Sequence, residues 1–324
     1  MSDLKKIARN IYNRVFDLIF ENKYREILNM KLSKDITETD DSVFYVISCE
    51  KMPFQGMFGY VDLILAMILY AIKHNMIPVI DMKNFPNTYL EDNEVGKIDA
   101  WELFFKPIAK TSIDEVYASK KYVIGNHMDI DWNNRATLQG VHNRQKGAFW
   151  STMYCYFVRL SDEANRYCDS EYRRLLQEKE MKTLGVLIRG TDIKNSKGHA
   201  IQPEVQQVVR KIHEILEKDS SFEYIYLATE EFKNERIFRE EFPGRIIVND
   251  RTYYDNVDYS KGLSYVKTET EHDRYHRGMQ YLSSVRLLSR CGGLVAGQCG
   301  GAFAAYYWNN GKYRYSYFWE LGTV

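Results

Sequence analysis

Short β-rich runs alternate with longer runs of helical length along this chain, and that alternation constrains the fold more than any other feature. Val43–Ser48 (VFYVIS) is β-rich, Glu50–Gly59 is turn-rich, Tyr60–Lys73 is an apolar run of helical length, and Ile77–Asp81 (IPVID) is β-rich again. Strand, glycine-bearing loop, helix, strand is the βαβ pattern of a parallel sheet. Residues 112–119 read as a short helix leading into a strand at Tyr122–Ile124. The second half repeats the pattern. Strands are expected at Leu184–Ile188, Glu223–Thr229, Arg245–Val248 and Leu294–Ala296. Helices are expected at Glu204–Lys218, Glu231–Glu240, Arg277–Arg290 and Gly300–Asn309, with long polar loops at 189–203 and 249–275. The two halves, joined near residues 150–182, predict an α/β chain of two Rossmann-like, doubly wound domains facing each other across a cleft. The expected division is an N-terminal helical segment at 1–40, an α/β domain at 41–160 and a second α/β domain at 161–324.

Composition narrows the function. Lys plus Arg and Asp plus Glu are each 44 in 324 residues, so the formal charge is zero. A protein whose main partner is bulk nucleic acid needs a basic excess, so no nucleic-acid partner is expected. The longest apolar run, Leu63–Ile72, is shorter than the ~20 residues that span a bilayer. The N-terminus opens polar, without a signal-peptide pattern. Cys49, Cys155, Cys168, Cys291 and Cys299 form no CxxC pair, so neither a zinc site nor a disulfide framework is indicated. A cytoplasmic location is the expectation. Ile7, Ile11, Val15, Leu18 and Ile19 recur at helical spacing among basic residues, the pattern of a helix packed on the domain, with peripheral contact at the inner membrane face the alternative.

Four segments carry candidate chemistry. In Gly185–Asp192 (GVLIRGTD) an apolar strand runs straight into Arg189, Gly190, Thr191 and Asp192. Ligands of doubly wound sheets sit at such carboxyl ends, and arginine presents a planar fork of donors suited to a diphosphate. An Arg–Asp pair stapling the turn is the plainer alternative. Gly297, Gln298, Cys299, Gly300 and Gly301 open a small-residue helix whose amides favour anions. Neither G-x-G-x-x-G nor G-x-x-x-x-G-K-[ST] occurs, which argues against dehydrogenases and P-loop NTPases. Thr229 and Glu230 end a strand, where they either contact ligand or cap the next helix. The fourth segment is the polar stretch Lys267–Arg277.

GVLIRGTD, followed by YLATEE and RGMQYLSSVRLLSRCGGLVAG, resembles in order and spacing the fucosyltransferase superfamily of GT-B glycosyltransferases, the α1,2-, α1,6- and protein-O-type enzymes including the bacterial nodulation type. QGMFGYVDLILAMILYAIKHNMIPVID is similar to that family's glycine-containing opening, helix and second strand, so Gly59 joins the candidate substrate-binding residues. The likeness covers most of residues 43–309. It implies a GT-B-like fold and an enzyme of polysaccharide or glycan biosynthesis. Such an enzyme moves a sugar from a nucleotide sugar, GDP-fucose in this family, to a glycan, lipid-linked glycan or protein, with inversion, without a metal and without a further cofactor. The family motif is roughly H-x-R-R-x-D. Arg189 matches its first arginine, on the donor diphosphate, and Asp192 its acid, whereas Leu187 and Gly190 stand at the His and second Arg positions. Ser284 falls where some relatives carry an Asp near the nucleotide, and 297–301 matches the phosphate loop.

Breaking a sugar–diphosphate bond puts negative charge on the leaving oxygens, which Arg189 and helix-start amides can meet. The transition state is oxocarbenium-like. Asp192, His199 and Glu204 are the candidate bases for the acceptor hydroxyl. Arg189→Ala is expected to abolish transfer and leave the fold intact. Two other readings stand beside this one. Asp129 and Asp131 form an Asp-x-Asp that suits a hard cation, as in metal-dependent glycosyltransferases. A non-catalytic α/β protein that binds a nucleotide or glycan would share the same cleft.

Overall fold

The computed structural model describes residues 41–52, 55–190, 198–254 and 272–324. The expected N-terminal helix, Thr191, Asp192 and residues 267–271 of the polar stretch lie outside the described residues. In chain order the first half comprises β1 (Phe44–Ser48), α1 (Met57–Lys73), β2 (Ile77–Asp81), α2 (Ala100–Phe104), α3 (Ile113–Ser119) and β3 (Tyr122–Ile124). Three helices follow: α4 (Leu138–His142), α5 (Arg144–Phe157) and α6 (Asp162–Leu175). The second half comprises β4 (Thr183–Ile188), α7 (Val205–Lys218), β5 (Tyr224–Thr229), α8 (Phe232–Glu241), β6 (Ile246–Ile247), α9 (Asp273–Leu288), β7 (Gly293–Ala296), α10 (Gly300–Trp308) and β8 (Tyr315–Phe318).

Both sheets are parallel. The first has the order β2-β1-β3 and the second β6-β5-β4-β7-β8. The second order is that of a Rossmann half, with the chain stepping outward from the central β4 and then returning to its other side. Among the described residues the first sheet has three strands, the minimum for an order that reverses around β1.

Parallel strands are buried on both faces, which is why they read as continuous apolar runs. In β1, Tyr45 and Ile47 face α1, while Phe44 and Val46 face a small cluster with Ile113 and Val116 of α3. In β4, Leu184, Val186 and Ile188 face Val208 and Ile212 of α7, while Leu187 faces the opposite side with α9 and α10. Helix α1 buries 14 of its 17 residues, so it is covered all round rather than on one stripe. It packs on β1, β2, α5 and α10, so one apolar core runs from the first sheet into the second. The segment near 150–182, expected as a joint, is largely α5 and α6. Trp150 and Tyr154 of α5 are 1% exposed, and α6 packs on α9.

Polar contacts add to this joint. Arg274 at the start of α9 donates to the carbonyl oxygens of Asn87 (3.3 Å) and Leu90 and pairs with Glu91 (3.4 Å). Tyr307 of α10 donates to the Thr137 carbonyl (2.5 Å). The halves are therefore in firm contact. Among the described residues no helix is long and apolar enough to cross a membrane.

Candidate functional site

The second sheet reverses its strand order between β4 and β7, and such a reversal opens a crevice beyond the carboxyl ends of the two strands. Arg189 and Gly190 directly follow β4, and Gly297–Gly301 directly follow β7, so the two motifs form opposite lips of that crevice.

Register fixes what lies beside Arg189. Ile188 pairs with Thr229, so Arg189 and Glu230 occupy the next rung and project side by side. The Arg189 Nε stands 3.1 Å from Glu230 Oε1, and the two side chains are 15% and 7% exposed. The Gly190 N–H donates to the same carboxylate oxygen (3.0 Å). Arg189 Nη1 donates to the Tyr281 hydroxyl (3.2 Å), and the guanidinium lies 5.5 Å from that ring's centroid. Glu230 of the neighbouring strand is thus a charged partner of Arg189, and Tyr281 of α9 a hydroxyl partner.

Thr229, 1% exposed, is floor rather than lip. Its hydroxyl accepts from Asn234 Nδ2 (3.1 Å), which also donates to Glu231 (2.9 Å). Glu231 pairs with Lys233 (2.8 Å).

The opposite lip is the start of α10. Cys299 occupies the N-cap position in extended backbone and makes no side-chain cap bond. Burial pushes its thiol up, against the pull of Arg189 and of the nearby Ala302 and Gly301 amides. The sulfur is therefore a neutral thiol and not a nucleophile. Gly300 lets the helix start press against α1: an added Cβ would lie 3.0 Å from the backbone of Phe58. At Gly301 an added Cβ would meet the Tyr281 hydroxyl at 2.4 Å. The Phe58 ring meets the Tyr281 ring edge-on at 5.5 Å. Gly59 sits in the same first turn of α1, half-buried, its N–H donating to the Gly56 carbonyl (2.8 Å). The first half thus contributes the α1 start to the crevice.

Other sequence candidates have different surroundings. Gln298 donates from its side chain to the Trp319 carbonyl (3.0 Å) and accepts at its backbone from Gln202 (2.9 Å), and Gly297 packs on Gln202. Ser284 is 1% exposed, its hydroxyl bonded to the Gln280 carbonyl (2.8 Å) and 3.1 Å from Asn249 Oδ1, which also accepts from Tyr226 (2.9 Å). His199 is exposed, with its carbonyl taking the Val324 N–H (3.0 Å), and Glu204 caps α7 with Gln207. In the first half, Asp129 accepts from the Tyr45 hydroxyl (2.6 Å) and the Asn126 amide (2.8 Å), while Asp131 accepts from the Asn133 amide (3.2 Å). Both acids act as local caps. Among the described residues no group of three or more His, Cys, Asp or Glu is placed to hold a metal ion.

Sequence reasoning missed Tyr281, Phe58 and Gln202. Tyr281 lies in an ordinary helical run, and its contact to Arg189 spans 92 positions, so no local pattern marks it.

No family model and no curated protein matches this chain. Several solved structures do. The fucosyltransferase NodZ from Bradyrhizobium aligns at a TM-score of 0.48 and 11% identity, over 83% of this chain and 93% of that one. POFUT1 in complex with GDP aligns at a TM-score of 0.48 and 13% identity, over 87% and 99%.

Proposed function

We propose that this chain is a glycosyltransferase that takes a nucleoside-diphosphate sugar, GDP-fucose by the motif resemblance, and passes the sugar with inversion to a glycan, lipid-linked glycan or protein hydroxyl. The observation that carries this reading is the convergence of the Arg189 motif and the glycine-rich α10 start on the crevice between β4 and β7. Two sequence segments more than 100 positions apart meet where an open parallel sheet binds ligands.

The chemistry follows from the side chains. Glu230 faces Nε of Arg189 and accepts from the Gly190 amide, which orients the guanidinium. The Nη1 edge is thereby turned toward Tyr281 and the α10 start. A diphosphate placed there meets a permanent cation on one side and helix-start amides on the other. Both interactions strengthen as the glycosidic bond breaks and charge collects on the leaving oxygen, so they lower the barrier as well as bind. This charge stabilisation needs no metal ion. The base for the acceptor hydroxyl comes from Asp192 of the motif, His199 or Glu204, with Asp192 and His199 ranking equally.

Thermal unfolding in the presence of GDP, UDP, dTDP and CMP tests the reading, since a ligand that binds the native state raises the melting temperature. A rise with GDP alone and release of GDP from GDP-fucose are expected. A shift without turnover would identify a binding protein, and no shift with any nucleotide would refute the assignment.

A further inference from the structure

We infer that Tyr281 is a donor-binding residue whose neutral hydroxyl donates a hydrogen bond to the same leaving diphosphate that Arg189 neutralises; the inference rests on the transferase reading above. The ring is held in one place. Phe58 of α1 meets it edge-on at 5.5 Å and the Arg189 guanidinium lies 5.5 Å from its centroid. Its hydroxyl is wedged between Arg189 Nη1 at 3.2 Å and Gly301, where an added Cβ would stand 2.4 Å away.

A guanidinium has donors and no acceptor, so in this pair the hydroxyl oxygen accepts and its proton must point elsewhere. Among the described residues no acceptor takes that proton. Burial also pushes the Tyr281 pKa up, so the hydroxyl keeps its proton throughout the neutral range. A buried hydroxyl donor beside a fixed cation and the first amides of α10 matches an acceptor-only anion, and a phosphate oxygen is that group. Gly301 fits the same account, because only glycine lets the hydroxyl stand against the helix start.

The test is a double-mutant cycle on the full chain, with GDP affinity measured by calorimetry and GDP-fucose cleavage measured in parallel. Tyr281→Phe keeps the ring and removes only the hydroxyl. It is expected to weaken GDP by roughly 10- to 100-fold, the size of a lost bond to a charged group. Cleavage turnover should fall at saturating donor as well, because the charge on the leaving oxygen grows in the transition state. A purely structural role would not move that saturating rate. Gly301→Ala should weaken GDP strongly in the parent chain and by less than about threefold in the Tyr281→Phe background, where the clashing oxygen is gone.

If the parent binds GDP and Tyr281→Phe stays within about twofold of it, or if Gly301→Ala costs the same in both backgrounds, the role of Tyr281 is overturned and the transferase reading stands. If the parent binds no nucleoside diphosphate, both fail together. Should Gly301→Ala not fold, the Tyr281→Phe arm decides alone.

Discussion

Replacing Arg189 by alanine tests both the architecture of the site and its chemistry. The sequence reading expects this change to silence the site and spare the fold. The structure adds a cost. Glu230 is 7% exposed and faces Arg189 at 3.1 Å, so truncation leaves a buried carboxylate without its cation. Two unit charges at that distance attract by about 5 kcal/mol at an effective dielectric of ~20. Removing one partner of a buried pair costs about 3–5 kcal/mol, because the remaining charge stays desolvated. The Gly190 amide still reaches Glu230, which favours the lower end of that range. Arg189→Ala should therefore lose about 3 kcal/mol in urea unfolding, a large share of the 5–15 kcal/mol of a typical protein. Arg189→Met combined with Glu230→Gln removes both charges and should recover most of that loss while leaving donor binding absent. A single Arg189→Ala variant within 0.5 kcal/mol of the parent would refute the reasoning, since it would mean that Glu230 is solvated.

Three further outcomes follow from individual contacts. Gly190→Ala would place a Cβ 2.1 Å from the buried Glu231 carboxylate, so a loss of about 1–3 kcal/mol is expected in the same assay, and an unchanged midpoint would contradict the packing. Burial, more than its acidic neighbours Glu102 and Asp81, pushes the Asp99 carboxyl up to about 7. The folded chain then holds a proton that the unfolded chain releases above about pH 4, so stability falls as pH rises from about 4 to 7, by about 1–4 kcal/mol. Asp99→Asn keeps a cap acceptor for Trp101 and should flatten that slope, whereas an unaltered slope would assign it to other groups. Donor cleavage should survive a chelator and the Asp131→Asn change, because Asp131 binds only a local amide; loss of activity in both would revive the metal-dependent reading.

Most strands were legible because buried parallel strands are apolar on both faces, whereas β3, with Val123 and Ile124 exposed, shows only through its β-branched residues. β2 and β3 match the sequence reading residue for residue, and β1, β4, β5 and β7 differ by one residue at one end. Helix starts were less so. α1 begins at Met57 rather than Tyr60, since its opening turn is held by packing against Gly300 and not by a side-chain cap. α9 begins at Asp273, four residues before the expected start, because Arg274 and the Asp273–Arg277 pair (2.8 Å) turn a polar run into a docked first turn. β8 escaped notice: it is an edge strand of alternating exposure that depends on β7 for its bonds.

The same division runs through the site. Arg189, Glu230 and the 297–301 glycines are visible because each follows a recognisable strand. Tyr281 and Phe58 are not, because their positions depend on how α9 and α1 pack against elements far away in sequence. The Arg189–Glu230 pair is readable only once the register of β4 and β5 is known.

The most direct test is GDP release from GDP-fucose by the parent chain and by Arg189→Lys, which keeps a charge for Glu230 but lacks the planar fork. The account predicts steady release by the parent, a loss of about 100-fold or more in the variant, and nearly equal melting temperatures. Equal rates in the two proteins, or a parent that neither binds nor cleaves any nucleotide sugar, would contradict it.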